Sequence, residues 1–294
     1  MEIRLLGPVE ITNDDHTPVR PERAAQRGLL AALALRPGRL VSTDALIDCL
    51  WDGDPPEKAG ETLAHYARAV RAALTAAGAA PGVLTNRRRT GYALHVPPES
   101  VDYHRFTALV RDAARETSAG PAADLYTRAL AMWHGDALAD IGTDWAERQS
   151  YRMRQERTDA CCALFRRQMA DGAHAAAATG VTALLTEITP TDDIIMIGLE
   201  ALAHSGRHAD IDQFLTDATT RMWHLAAARP SDSVRTLATH LTTNPPAAHR
   251  PPHESHESHG RDEMYGGRVQ QTATNCGTVH FAGRDQYVYM SRFH

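Results

Sequence analysis

The sequence lacks the features that mark catalytic, metal-binding and membrane-spanning chains. The longest apolar run, near residues 29–35, is much shorter than a membrane span. No paired carboxylates, Ser/His/Asp set or glycine-rich phosphate loop stands out. The cysteines have no metal-ligand spacing, which is typical of a reduced cytosolic chain: Cys49, Cys161, Cys162 and Cys276. We therefore expect no enzymatic activity, no cofactor and no metal site.

Lysine is nearly absent: Lys58 is the single lysine, and arginine supplies the other positively charged side chains. The N-terminus has no basic segment followed by an apolar run, so no signal peptide is expected and the chain is predicted to be cytoplasmic. The net charge of −5 argues against a general polyanion binder. Residues 1–97 are close to neutral, whereas residues 98–243 are acidic, so any DNA-binding surface has to be local.

The first 97 residues have the element order of a winged helix. Alternating apolar residues predict strands over residues 2–12, and a third short strand is expected near Val19. Apolar periodicity and capping residues predict three helices, over residues 23–35, 43–50 and 57–77. A hairpin follows between residues 83 and 94. The sequence therefore predicts a winged helix-turn-helix domain over residues 1–97.

The remainder divides into a helical part and a tail. Residues 98–243 predict seven helices separated by short breaks, which favours antiparallel helical hairpins. Residues 244–263 are rich in proline, histidine and serine and predict a disordered linker. Residues 264–294 are predicted to be a short tail that can form strands. The fold class is therefore mostly α with a small β component, with a partly disordered tail.

The third helix is predicted to read DNA. Its apolar stripe, Leu63, Ala67, Val70 and Leu74, belongs in the core, which turns the opposite face outward. Side chains that bind bases or phosphates are expected on this outward face and on the hairpin arm, Arg87-Arg88-Arg89. The candidate DNA-binding residues are Ser42, Thr43, Lys58, Thr62, His65, Arg68, Arg71, Arg87, Arg88 and Arg89. The alternative is a winged helix that contacts protein, which Glu61 on the same face favours.

Several short segments, in the same order, resemble the Streptomyces antibiotic regulatory protein family. In the first domain they are Leu5-Leu6-Gly7-Pro8-Val9-Glu10, Leu46-Ile47-Asp48-Cys49-Leu50-Trp51 and Thr90-Gly91-Tyr92-Ala93-Leu94. In the second they are Val101-Asp102-Tyr103-His104-Arg105-Phe106, Trp133-His134-Gly135-Asp136-Ala137-Leu138 and Gly206-Arg207-His208. The resemblance implies a tetratricopeptide-like bacterial transcriptional activator domain. It also implies binding to direct repeats in promoters and recruitment of RNA polymerase, usually for secondary-metabolite genes such as those of antibiotic biosynthesis.

The resemblance has limits on the reading face and in length. Ala69 stands where the family usually has arginine, and Glu61 where it has a neutral polar residue, so the operator sequence does not follow from it. Larger relatives continue into an ATPase, whose phosphate loop this sequence does not contain. The resemblance also implies a homodimer or a side-by-side pair on DNA.

The tail leaves a second function open. Residues 269–282 contain no Asp, Glu, Lys or Arg, and such a window can stack with copies of itself. Val279 and Phe281 are the candidate self-association residues. A homotypic partner would make the chain a signalling adaptor whose winged helix contacts protein. An unstructured tail and a hairpin docked on the body are the other interpretations, and four linker histidines (His249, His253, His256 and His259) give only a weak indication of metal binding.

Overall fold

The computed structural model describes residues 1–87, 90–244 and 246. Its first elements are β1 (Glu2–Arg4), β2 (Glu10–Thr12), β3 (Pro18–Val19), α1 (Ala24–Ala34), β4 (Val41–Ser42), α2 (Thr43–Trp51), α3 (Ala59–Ala76), β5 (Leu84–Arg87) and β6 (Gly91–Leu94). The helices that follow are α4 (Asp102–Arg115), α5 (Ala119–Leu130), α6 (Asp144–Ala170), α7 (His174–Leu184), α8 (Asp192–His204), α9 (Ile211–Ala226) and α10 (Asp232–Thr243). Short 3₁₀ turns lie at Pro98–Ser100 and His208–Asp210.

Two small antiparallel sheets flank the first three helices. The order of the first sheet is β1-β2-β3, with Ile3 opposite Ile11. The order of the second is β4-β6-β5, with Leu84 opposite Leu94. The predicted winged helix followed by a helical domain is therefore confirmed. The sequence does not predict strand β4, because Ser42 marks the N-cap of α2 and so indicates the start of a helix there.

The apolar stripe of α3 packs inward as its spacing predicts. Leu63, Val70 and Leu74 are fully buried, in one core cluster with the α1 leucines. Helix α2 holds α3 from the other side through Trp51 and Tyr66, whose stacked rings are 6.1 Å apart. Burial of these side chains provides most of the stability of such a helix pair, since short helices are marginal by themselves.

The two predicted domains belong to one compact unit and share a seam that the sequence does not reveal. At the seam, the Asp102 carboxylate is completely buried and accepts hydrogen bonds from the amides of Leu5 and Leu6 at 2.8–3.0 Å. From the helical side, the Leu138 amide donates to the Leu5 and Gly7 carbonyls at 3.1 and 2.9 Å. The N-terminal sheet is thereby fixed to the start of α4 and to the segment before α6.

Two further side chains extend this seam. The Asp140 carboxylate accepts from the Val9 amide at 2.9 Å and forms ion pairs with Arg20 and Arg27. The Asp52 carboxylate, at the left-handed end of α2, accepts from the Asp144 amide at 3.0 Å, which is the first amide of α6. These contacts join the winged helix to the helical part, so α1 and α2 are supported by the domain behind them.

Within the described residues, no helix is long and apolar enough to cross a membrane. The same residues contain no group of three or more His, Cys, Asp and Glu side chains placed to hold a metal ion. The linker histidines and the self-association residues Val279 and Phe281 lie outside the described residues.

Candidate nucleic-acid interface

The exposed face of α3 carries the predicted reading residues. His65 and Arg68 are exposed, and Thr62 is half-buried one turn before them. Among the described residues, no acceptor or carboxylate holds the Arg68 guanidinium. This guanidinium keeps its full set of donors, which match the O6 and N7 acceptors of a guanine edge. Arg68 is therefore the side chain of this helix with the most capacity for direct base contact.

Arg71 has a different position, because it fastens α3 to the hairpin. Its Nε and Nη2 atoms donate to the Leu84 carbonyl at 3.3 and 3.1 Å. Tyr92 of β6 lies close by: burial raises the pKa of its hydroxyl, and the positive charges of Arg71 and Arg68 oppose that rise. Arg71 thus contributes to the relative placement of helix and hairpin, a role that its position in the sequence does not indicate.

The hairpin arm begins on an exposed strand end. Arg87 closes β5 opposite Gly91 of β6, and its side chain is exposed. Gly91 is required there, since its φ is +155° and an added Cβ would collide with the Val41 carbonyl at 2.0 Å. β6 is therefore pressed directly against β4. Arg88 and Arg89 of the arm lie outside the described residues.

The start of α2 offers fewer amides than the sequence predicts. The Ser42 hydroxyl caps the helix by accepting from the Ala45 amide at 3.2 Å, as its N-cap position predicts. The Thr43 amide donates to the Thr90 carbonyl at 3.2 Å. Both amides therefore have acceptors within the protein. Exposed Asp44 in the first turn further disfavours a phosphate at this end.

Lys58 and Glu61 lie at the start of α3, and both are exposed. The Lys58 carbonyl accepts from the Glu61 and Thr62 amides at 3.0 Å, so the turn is closed by backbone alone. The Lys58 ammonium can reach a phosphate, whereas the Glu61 carboxylate repels one. Their opposite charges offset each other, which leaves the Arg68 guanidinium and the arginines of the hairpin arm as the positive charges of this surface.

The buried Asp102 carboxylate at the seam is a titratable group that the sequence analysis does not single out. Burial raises the pKa of Asp102 to about 6, and the amides of Leu6, Leu5 and Tyr103 act in the opposite direction. The His134 side chain is next to this carboxylate, with its Nε2 atom 3.8 Å from Oδ2 of Asp102. Burial lowers the pKa of His134, which favours its neutral form at this distance. In the sequence, Asp102 and His134 are marked only by lying in two of the segments that resemble the family.

The comparisons with known proteins agree with this architecture. The bacterial transcriptional activator domain matches residues 101–245, and the C-terminal domain of transcriptional regulatory proteins matches residues 23–94. The regulatory protein AfsR of Streptomyces coelicolor is 34% identical over 210 residues, which cover 70% of this chain and 20% of AfsR. The regulatory protein DnrI of Streptomyces peucetius is 35% identical over 149 residues, which cover 48% of this chain and 54% of DnrI.

The chain belongs to the Streptomyces antibiotic regulatory protein family. It has the two matched domains of that family in the same order, and the family consists of transcriptional regulators. A solved structure of Mycobacterium tuberculosis EmbR, in complex with a low-affinity phosphopeptide, superposes with a TM-score of 0.71 at 28% identity. The superposition covers 83% of this chain and 65% of that one. The chain thus spans only about a fifth to a half of the length of AfsR and DnrI.

Family membership also explains why the seam coincides with recognisable segments. Residues 101–106 and 133–138, which resemble the family, contain Asp102, His134 and Leu138. The backbone of Leu138 is left-handed, with φ of +57°, although the residue is 2% exposed and not glycine. A leucine in the left-handed backbone conformation is strained, and contacts with its surroundings must compensate for that strain. The two hydrogen bonds of its amide are the contacts that hold it there.

Proposed function

We propose that this chain is a sequence-specific activator that binds double-stranded promoter DNA at direct repeats and recruits RNA polymerase. The observation that supports this most directly is the exposed guanidinium of Arg68, on a helix fastened to the hairpin by Arg71. In winged helices the third helix enters the major groove while the hairpin contacts the flanking backbone. From the resemblance to the family we expect secondary-metabolite genes as targets, and the cytoplasm is the expected location.

Binding as a side-by-side pair follows from the geometry of direct repeats. Two identical winged helices in the same orientation lie on one face of DNA only if the repeats are separated by about one helical turn, roughly 10.5 base pairs. The acidic helical part, with net negative charge over residues 98–243, is expected to face away from the phosphates. It is then free to contact polymerase.

The proposal is tested by titrating promoter fragments from the neighbouring genes with the full chain at several salt concentrations. A cognate fragment should bind at least about a thousandfold more tightly than random DNA at physiological salt. Inserting five base pairs between the repeats should abolish pair binding and, in transcription with purified polymerase, activation. Equal weak affinity for every fragment would reject sequence-specific binding and would leave the adaptor function, in which the winged helix contacts protein.

A further inference from the structure

The first half of α6 carries an exposed patch of arginine and tyrosine side chains. Residues 148–155 contain three arginines and no Asp or Glu, although residues 98–243 as a whole are acidic. We call Arg148, Tyr151, Arg152 and Arg154 the α6 patch, and all four are exposed. At 61%, Tyr151 is the most exposed large apolar side chain within the described residues. Positive charge and an open aromatic ring therefore coincide on one stretch of helix.

Helical geometry turns the α6 patch away from the core. Ala146 and Met153 are buried and lie seven residues apart, so they mark the inner face of this half of α6. Arg148 and Tyr151 point to the opposite side, because each residue advances the helix by about 100°. Arg152 and Arg154 flank them. The patch is thus the outer surface of a helix whose inner face is already occupied.

The arginines of the patch differ in how they are held. Arg152 donates to the Tyr103 hydroxyl at 3.3 Å and lies 3.7 Å from the Glu156 carboxylate, which offsets part of its charge. In the part of the chain that the structure describes, no carboxylate forms an ion pair with Arg148 or Arg154. These two guanidinium groups therefore keep their paired donors for carboxylates of another molecule.

The patch borders the winged helix. At the start of α6, the Asp144 amide donates to the Asp52 carboxylate at the end of α2. Burial raises the pKa of the Cys49 thiol of α2 to about 11, and the positive charges of Arg36 and Arg148 oppose that rise, so Arg148 lies close to α2. A molecule bound to the patch is therefore held beside the DNA-binding domain.

The composition of the patch favours a protein partner over DNA. Arginine and tyrosine are enriched in protein–protein interfaces and contribute strongly to their affinity. Duplex DNA is bound mainly through its phosphates, which give an exposed tyrosine ring little apolar surface to pack against. Asp144 and Glu147 on α6 and Asp48 on α2 are exposed at the border of the patch and would repel a long row of phosphates. A short acidic protein segment can avoid them.

We propose that the α6 patch binds an acidic segment of RNA polymerase, an inference that rests on the function proposed above. Carboxylates of the segment pair with Arg148 and Arg154, and an apolar side chain between them packs on Tyr151. Arg152 adds positive charge from its fixed position next to Tyr103. The patch shares no residue with α3 or the hairpin, so polymerase and promoter bind to separate surfaces of the chain.

The test measures promoter binding and polymerase binding separately, with the full chain, purified polymerase holoenzyme and a labelled cognate promoter. The patch variant combines Arg148→Glu, Tyr151→Ala and Arg154→Glu. All three positions are exposed, so its melting temperature should equal that of wild type. The affinity of polymerase for the complex of variant and promoter should fall at least about tenfold.

The matched control combines Arg115→Glu and Arg128→Glu, which make the same change of charge at exposed positions of α4 and α5. It should retain the polymerase affinity of wild type. Patch variant and control should bind the promoter alone equally well. Weaker promoter binding by the patch variant than by the control overturns the inference, because the patch then contacts DNA.

The other outcomes separate this inference from the proposed function. If wild type and patch variant recruit polymerase equally, the inference is overturned and the proposed function stands. If wild type gives polymerase no gain in promoter affinity, both fail. A photo-crosslinking amino acid at position 151 gives a second measurement: mass spectrometry should identify a polymerase peptide that contains Asp or Glu. A crosslinked peptide without acidic residues also overturns the inference.

Discussion

Arg68 and Arg71 differ in environment although only two residues separate them on α3. The Arg68 side chain is exposed, whereas the Arg71 guanidinium donates to the Leu84 carbonyl and lies beside Tyr92. The two positions are nearly one helical turn apart and are neighbours on the helix surface. The Leu84 carbonyl of the hairpin therefore accounts for the difference, because it accepts hydrogen bonds from Arg71.

Replacing the two arginines should therefore have different effects. Arg68→Ala should cost about 1–3 kcal/mol on a cognate site and less on random DNA, with the melting temperature unchanged. Arg71→Ala should lower the melting temperature and weaken binding to every sequence, because the hairpin loses its anchor. His65→Ala should follow Arg68→Ala more weakly. Fluorescence anisotropy measures the DNA affinity and thermal unfolding measures the melting temperature. If Arg68→Ala loses equal affinity for cognate and random DNA, Arg68 contacts a phosphate and not a base.

Asp102 should make stability depend on pH. Its pKa is raised in the folded chain to about 6 from 3.8, so the folded state binds its proton more readily than the unfolded state. Its stabilising contribution is present below pH 3.8 and is lost as pH rises through 6. The shift corresponds to about 3 kcal/mol at most.

The measurement compares wild type with Asp102→Asn in urea unfolding between pH 4 and 7.5. The difference in unfolding free energy, wild type minus variant, should increase as pH falls, because the asparagine does not titrate. A difference that decreases toward low pH would show that the three amide donors outweigh burial and hold the carboxylate ionised.

At the level of elements, α3 and the hairpin together form the proposed DNA-binding surface. Strand β4 pairs with β6, with Val41 opposite Tyr92, and so joins the start of α2 to the hairpin. Arg87, at the end of β5, has an exposed side chain. We therefore expect helix and arm to contact DNA without a change in the body.

Removing the charge of the arm should weaken DNA binding without regard to sequence. Replacing Arg87, Arg88 and Arg89 by alanine should flatten the plot of log K against log salt by about 2–3 units. The matched control removes three exposed arginines from the helical part: Arg111, Arg115 and Arg128. That control loses the same charge and should change the slope much less. Similar slopes for both variants would indicate that the arm acts only through net charge.

At the level of the whole molecule, the winged helix and the helical part are joined by bonds through Asp102, Asp140 and Asp52. The uncharged window at residues 269–282 lies beyond the linker, where few contacts with these cores are expected. Folding of the body and association through the tail are therefore expected to be separable properties.

Association through the tail should be abolished by one charge. Deleting residues 264–294 should leave the melting temperature and DNA binding of the body intact. Val279→Asp in the full chain should suppress concentration-dependent assembly as effectively, because each copy would oppose the same charge in its neighbour. Sedimentation of wild type, deletion and Val279→Asp measures this. A wild type that stays monomeric at high concentration would reject homotypic pairing.

The sequence alone determined the helices, because their signals are local. The spacing of Leu63, Ala67, Val70 and Leu74 determined which face of α3 is buried, and Ser42 marked the start of α2. The helices of the second part followed from apolar periodicity and from breaks such as Gly172. The position of Arg68 on the exposed face also followed, since it depends only on helical geometry.

The tertiary structure alone decided which side chains are used inside the protein. Asp102 lies 97 residues after Leu5 in the sequence. Arg71 of α3 donates to the Leu84 carbonyl of β5, a strand that follows α3 in the chain. Neither pairing leaves a local pattern, because nothing in the spacing of either partner records the other. The same holds for strained Leu138 and for the uncovered Trp223: their surroundings come from segments brought together only when the helices pack.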